Sequence, residues 1–475
     1  MVLDNFRRKL RQEAQKWRDE GIISSSCYQD LGKRYQFDNL EIAARDRFVF
    51  IVIAIGSILL SLGIITFVAA NWQAWSRDVK FVILISLFFA TSITGFYSFR
   101  EPTVNAQGKK QPRSKQLLGE GLLILAAFIL GANIALMAQM FNIGGSTYQL
   151  FLCWGLGVLI MAYGLSLTSL GVLSIILLQI GYWTGLGELS YSATDFSWSR
   201  LLVQHMPLFI WLLFVPLAYL CRSRWIFALA AIAFTISLQF NLNPLQRLAY
   251  NNTAPWVASF AFALPAALFW SYDDLLFPTI NFRLFQPLAQ SLSLWFFGTL
   301  FYVLSFYWVW QYPSSGFYPL TTNSPITSFP LIDLGILSGL VVLQWLFMLR
   351  YRNSLTRRGM DITNVFITSF IVIVALIPFW HQAVTRISGL AVFIFNILLG
   401  IFAFGLIRHG IEYGDRRTFW GGMLLLTLQI ISRMWEYDTD LIFRSFVFAM
   451  CGIGIISAGL WFERRLSGVS NLSNK

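Results

Sequence analysis

Phe48-Val-Phe-Ile-Val-Ile-Ala-Ile-Gly-Ser-Ile-Leu-Leu-Ser-Leu-Gly-Ile-Ile-Thr-Phe-Val-Ala-Ala70 contains no charged residue from end to end. A helix needs about 20 apolar residues to cross the ~30 Å hydrocarbon layer of a bilayer, and this stretch supplies them. Further runs of the same kind follow at about 79–98, 117–140, 148–166, 168–187, 201–221, 224–240, 253–270, 290–310, 331–350, 361–379, 387–407, 418–432 and 441–461. Only a short Ser-Leu-Thr-Ser turn separates 148–166 from 168–187, and 418–432 is short for a full span. The predicted fold is all-α: a polytopic transmembrane helical bundle of about 14 spans.

Composition agrees. Apolar residues make up 56% of the chain and charged residues 12%, where a soluble domain carries about a quarter charged. So much apolar surface exceeds what a water-soluble core can hide, and lipid is the expected solvent. The first run begins only after the polar segment 1–47, too late for the apolar region of a signal peptide, so it is expected to persist as a span. Cys27, Cys153, Cys221 and Cys451 are scattered without a C-x-x-C pair or metal-ligand spacing, and are read as free thiols.

Charge sets the predicted orientation. With the N-terminus inside and fourteen spans alternating, 28 of the 35 Lys and Arg fall on the inner side, and the net +12 lies wholly there. That is the asymmetry insertion demands. An odd count would move the later basic loops outside, so both termini are expected in the cytoplasm. The basic balance reports topology and excludes nucleic acid as a partner. The expected organisation is a cytoplasmic helical hairpin over 1–47, a transmembrane domain over 48–462 and a cytoplasmic tail over 463–475. Trp72, Trp75, Trp183, Trp256, Trp270, Trp308, Trp310, Trp380, Trp420 and Trp461 stand near run ends, where an indole suits the headgroup layer. Gly181/Gly185 and Gly335/Gly339 are spaced for close helix approach, or are simply the glycine common in such helices.

In the N-terminal segment Phe6, Leu10, Ala14 and Trp17 make an apolar stripe on a charged helix. Gly21 marks its end, and Ser24 to Ser26 can cap a second helix carrying Tyr28, Leu31 and Tyr35. The segment is either a hairpin folded against the membrane face or a docking element. In the second case Phe6, Leu10 and Trp17 would meet a protein partner or a second copy of the chain.

Ionisable groups inside apolar runs are functional suspects. Glu120, between Gly119 and Gly121, is read as the one acid within a run. Asn133 and Gln139 share its run, and Asn396 falls near the centre of another. Each is either a helix-bridging amide or part of a polar cavity. His205, His381 and His409 lack partners at metal-binding spacing and are read as ordinary. Asp273-Asp274 lacks the further acid a divalent site needs. No phosphate-binding loop, H-E-x-x-H or G-x-S-x-G occurs, so no catalytic, cofactor or metal set is predicted.

Lys16-Trp-Arg-Asp-Glu-Gly-Ile-Ile-Ser24 followed by Ala69-Ala-Asn-Trp72 resembles the N-terminal region of a bacterial membrane-protein family, catalogued as domain of unknown function 2157. Gly119-Glu-Gly121, Gly131-Ala-Asn-Ile-Ala-Leu-Met-Ala-Gln-Met-Phe141, Gly144-Gly145 and Trp154 are similar to its second stretch. The resemblance covers about residues 1–165. It implies a bacterial inner membrane and several spans, and it brings no activity, substrate or catalytic residue. Many spans with little soluble mass point to a non-enzymatic carrier or permease for a small solute or lipid. The alternative is an assembly or regulatory protein docking through its hairpin. A lipid-modifying enzyme using Glu120 is disfavoured by the lack of a paired acid and base.

Overall fold

The computed structural model describes residue 10 and residues 13–35, 51–53, 55–60, 62–63, 66–67, 70, 76–100, 114–189, 197–249, 254–274, 284–311, 329–355, 362–437 and 439–473. These residues are helices and the turns joining them. The chain divides into two compact units, Met1–Asp195 and Phe196–Lys475.

The first unit opens with α1 (13–19) and α2 (Ser25–Tyr35). They turn at Gly21, whose φ of +75° is a left-handed conformation that favours glycine. Ser24 Oγ then accepts the Cys27 amide at 3.3 Å, as a helix cap does. Ala14 is fully buried beneath Leu10, Ile23, Tyr28 and Leu31. Trp17 stays more than a third exposed, and Phe6 lies outside the described residues.

Then come α3 (Ile51–Leu60), α4 (Arg77–Arg100), α5 (Ser114–Met140), α6 (Thr147–Leu165) and α7 (Thr168–Leu189). Glycine lets these helices close on one another. At Gly119 a Cβ would stand 2.4 Å from the backbone nitrogen of Phe99 on α4. At Gly131 it would enter the Trp154 ring of α6, whose Nε1 donates to the Ala127 carbonyl at 2.7 Å. Gly155 and Gly181 admit Leu178 and Leu152 between α6 and α7. Gly335 and Gly339 in the second unit meet nothing within 4 Å, so there the spacing reflects no close approach among the described residues.

The second unit contains α8 (Trp198–Gln204), α9 (Met206–Leu220), α10 (Arg224–Leu242), α11 (Pro244–Ala249), α12 (Pro255–Ser271) and α13 (Gln286–Leu304). A single 3₁₀ turn, Tyr307–Trp310, leads on towards α14 (Phe329–Leu355), α15 (Ile362–Ala383), α16 (Ser388–Tyr413), α17 (Arg416–Glu436) and α18 (Leu441–Ser473). Its core is aromatic, with Phe297, Phe370, Phe395 and Phe402 packed round Phe301 and Trp310 stacked on Phe395. Trp310 and Trp270 are buried, against the expectation that both sit in the headgroup layer. Their indole N–H groups find acceptors inside, at the Leu304 carbonyl (2.8 Å) and Asn364 Oδ1 (3.1 Å). Trp183, Trp256, Trp308, Trp380, Trp420 and Trp461 are exposed, and Trp72 and Trp75 lie outside the described residues.

Each of the fourteen apolar runs carries a helix. Among the described residues nine helices are long and apolar enough to cross a membrane, and a bent pair, α8 with α9, makes a tenth. Their outward faces are hydrocarbon: Leu441 and Ile442 are 77% and 80% exposed. Water would penalise such faces by roughly 25 cal/mol for each Å² left exposed, whereas lipid does not. The helix on run 418–432, α17, falls outside the nine because it carries Gln429, Arg433 and Glu436.

Asp415 starts α17 as its cap, accepting the Arg417 amide at 3.1 Å and the Thr418 hydroxyl at 2.6 Å. The Thr418 hydrogen bond, against a smaller burial effect, holds its carboxyl below the usual range. Its folded-state pKa being depressed, the stabilisation is present above the unfolded value near ~3.9 and is lost as pH falls through the lower folded value. Asp415→Ala is expected to cost about 1 kcal/mol at neutral pH. Asp415→Asn should be almost neutral there and should flatten the acid side of a stability-against-pH curve. Thermal unfolding in micelles at several pH values checks both, and identical acid limbs would refute the cap's contribution.

Candidate functional site

The polar residues of α5 do not converge. Glu120 accepts the Ser169 hydroxyl at 2.7 Å, tying the start of α5 to α7. Asn133 lies about 20 Å further along the helix at ~1.5 Å per residue. Its Nδ2 donates to the Leu84 carbonyl of α4 at 3.1 Å, while its Oδ1 is buried without a partner among the described residues. Gln139 is exposed near the end of the helix. Glu120 and Asn133 thus bridge α5 to α7 and to α4.

Asn396 belongs to a wider network in the second unit. Its Nδ2 donates to the Ser305 carbonyl at the end of α13 (3.0 Å), and Gln429 Nε2 of α17 donates to its Oδ1 (3.2 Å) and main-chain oxygen (2.9 Å). Arg433, one turn further along α17, donates to the same Ser305 carbonyl at 2.7 Å and to Glu436. Its guanidinium carbon lies 4.0 Å over the Phe306 ring. The polar side chains of α17 therefore face inward, which is why hydropathy undervalues that helix. Gln429 Oε1 and Arg433 Nε and Nη2 stay buried without a partner among the described residues.

The most unusual place is the junction of α8 and α9, where the axis turns by 83° at His205. Pro207 accounts for the break. It has no N–H to offer the Val203 carbonyl four residues back, and its ring crowds that carbonyl. A carbonyl released inside a membrane must find another donor. Asn241, on the last turn of α10, supplies it: Nδ2 donates to the Gln204 carbonyl at 2.8 Å and approaches the Val203 carbonyl at 3.4 Å. Two residues earlier Gln239 does the same on the other side. Pro265 interrupts α12, and Gln239 Nε2 donates at 2.6 Å to the Ala261 carbonyl thereby released. One helix end thus satisfies the backbone opened by two prolines.

His205 itself meets Asp333 of α14, Nδ1 to Oδ1, at 2.5 Å. The Asp333 side chain is only 3% exposed and that of His205 15%. Neither residue was singled out by the sequence. His205 reads as ordinary in the sequence, and Asp333 stands third in the 331–350 run, so Glu120 is not the only acid within one. Pro207 inside an apolar run was the available signal, whereas a partner 128 positions away was not readable.

At the other end of α9 a second buried acid is purely structural. Asp274 is fully buried and accepts the amides of Phe285 (2.9 Å) and Gln286 (3.0 Å) at the start of α13, together with the Tyr219 hydroxyl. These three donors compensate the burial of its carboxyl group.

Residues 15–171 match the family described as Predicted membrane protein (DUF2157). No curated protein and no solved structure gives a match. The match takes in Trp17, Glu120, Gly131, Asn133, Gln139 and Trp154, and stops short of the broken helix. The chain is a multi-pass membrane protein whose residues 15–171 are similar to the DUF2157 family.

Proposed function

We propose that the protein is a non-enzymatic membrane carrier for a small solute or lipid, with the broken helix α8–α9 as its working centre. The frame is fourteen spans in a bacterial inner membrane with both ends on the cytoplasmic side. The observation that carries this reading is the His205–Asp333 pair at the break. From its Leu220 end α9 rises only about 22 Å at ~1.5 Å per residue, less than the ~30 Å core, so the pair lies at hydrocarbon depth. Ionisable groups at that depth are expensive to keep and mark transport pathways. Interrupted helices are where carriers place their sites, because a break turns helix ends and backbone groups towards a substrate.

Purified full-length protein in liposomes is expected to move at least one member of a panel of labelled sugars, amino acids, organic anions and fluorescent phospholipids. The same preparation of His205→Leu/Asp333→Leu should move none. Wild-type liposomes that match protein-free ones across the whole panel would sink the proposal.

A further inference from the structure

We infer that the class of molecule handled beside the break is a lipid, and that one acyl chain lodges in a groove on the opposite side of the end of α10. This rests on the carrier reading for what the chain is doing there, though not for its being bound. The groove encloses about 230 Å³ between α10, α12 and α13. Phe262 and Leu300, both buried, form its floor; Phe240 and Leu245, both exposed, form its rim; Phe296 and Val303 form the wall on α13.

Three features select hydrocarbon as the occupant. No lining residue is charged, so neither an ion nor a charged headgroup finds a counter-charge. Two of its polar groups are already engaged: Gln239 Nε2 on the Ala261 carbonyl, and the Thr299 hydroxyl on the Trp295 carbonyl at 3.0 Å of its own helix. Finally, α10 and α13 are long and apolar enough to span the bilayer, and exposed Thr299 at the groove continues one turn along α13 into lipid-facing surface at Trp295. The volume lies below the roughly 300–1,000 Å³ that takes a compact drug-sized ligand, and suits a slender chain. The groove and the break share one helix end: Gln239 and Asn243 line the first, while Asn241, between them, holds the carbonyls of the second. A chain seated in the groove therefore bears on the turn that stabilises the break.

The test uses the full chain in phosphatidylethanolamine–phosphatidylglycerol vesicles containing a trace of phospholipid with a diazirine in mid-chain. After irradiation, peptide mapping should find adducts concentrated on Phe240, Phe296 and Val303 over outward-facing Trp295. Val303→Trp, which fills the groove, should lose those adducts and keep those on Trp295. Should that variant fail to fold, Thr299→Phe at the exposed rim serves the same purpose. Adducts no more frequent at Val303 than at Trp295, or unchanged by filling, would overturn the inference. Vesicles with a labelled groove that move neither lipid nor any solute of the panel would leave the bound chain standing and defeat the carrier reading alone.

Discussion

Replacing His205 alone by leucine is expected to cost about 3–5 kcal/mol of stability, the range found when one partner of a buried charge pair is removed. The size follows from burial. Asp333 is almost wholly enclosed, and His205 Nδ1 stands 2.5 Å from its Oδ1. Without the imidazole that carboxyl remains in an apolar site with its compensation gone. Asp333→Leu alone should be milder, because a neutral imidazole tolerates an apolar site better than a carboxylate does. The double replacement should recover most of the loss, since a well-packed apolar pair often equals or exceeds a buried ionic one. Thermal or denaturant unfolding of the four proteins in the same micelles gives the double-mutant cycle. A single His205→Leu indistinguishable from wild type would mean that the contact does not exist in the membrane. A double variant as unstable as the sum of the singles would mean that each residue serves a different partner.

The second large effect belongs to the first unit. Gly119→Ala places a methyl group 2.4 Å from the Phe99 nitrogen and 2.9 Å from the Gly95 carbonyl oxygen, both backbone atoms of α4. Side chains can swing aside, but a helix backbone cannot, so α4 and α5 must part along their contact. Overpacking of this kind costs about 1–3 kcal/mol, and more when nothing yields. Gly131→Ala should also destabilise, because the Trp154 ring it meets is pinned by its bond to Ala127. Gly144→Ala, with nothing within 4 Å, is the control and should leave the unfolding midpoint unchanged. Equal midpoints for Gly119→Ala and Gly144→Ala would contradict the close α4–α5 approach.

What was legible in the sequence was what depends on local composition. Runs of apolar residues report lipid contact whatever the neighbours are, so each of the fourteen carries a helix. Residues whose chemistry demands a partner were also visible one at a time: Asn133 and Asn396 do bridge helices, and Glu120 is engaged. Partners were not visible, because they depend on which helices meet. Asn396 is joined to Gln429 and Arg433, whose helix looked weak since its polar groups face inward. Gln139 carries a side-chain amide as Asn396 does but sits at an exposed helix end, where an amide needs no protein partner. Trp270 and Trp310 went astray for a related reason: closeness to the end of a run does not say which way the ring points. The broken helix is the most instructive case. Pro207, Gln239 and Pro265 stand inside apolar runs and Asn241 one residue past the end of one, and each proline removes a hydrogen bond that some amide must replace. Reading prolines and amides together, as released carbonyls and their new donors, would have drawn attention to α10 and so to His205.

The central claim is that the break at His205 is where the protein moves its cargo, and lipid transfer tests it most directly. Liposomes containing the protein and a fluorescent phospholipid are treated with an impermeant reductant that bleaches only probes reaching the outer leaflet. With wild type, bleaching should continue beyond the outer-leaflet half. With the refolded, stable His205→Leu/Asp333→Leu protein it should stop at the level of protein-free liposomes. Bleaching by wild type that halts at that level, or a double variant that carries lipid as fast as wild type, would contradict the account.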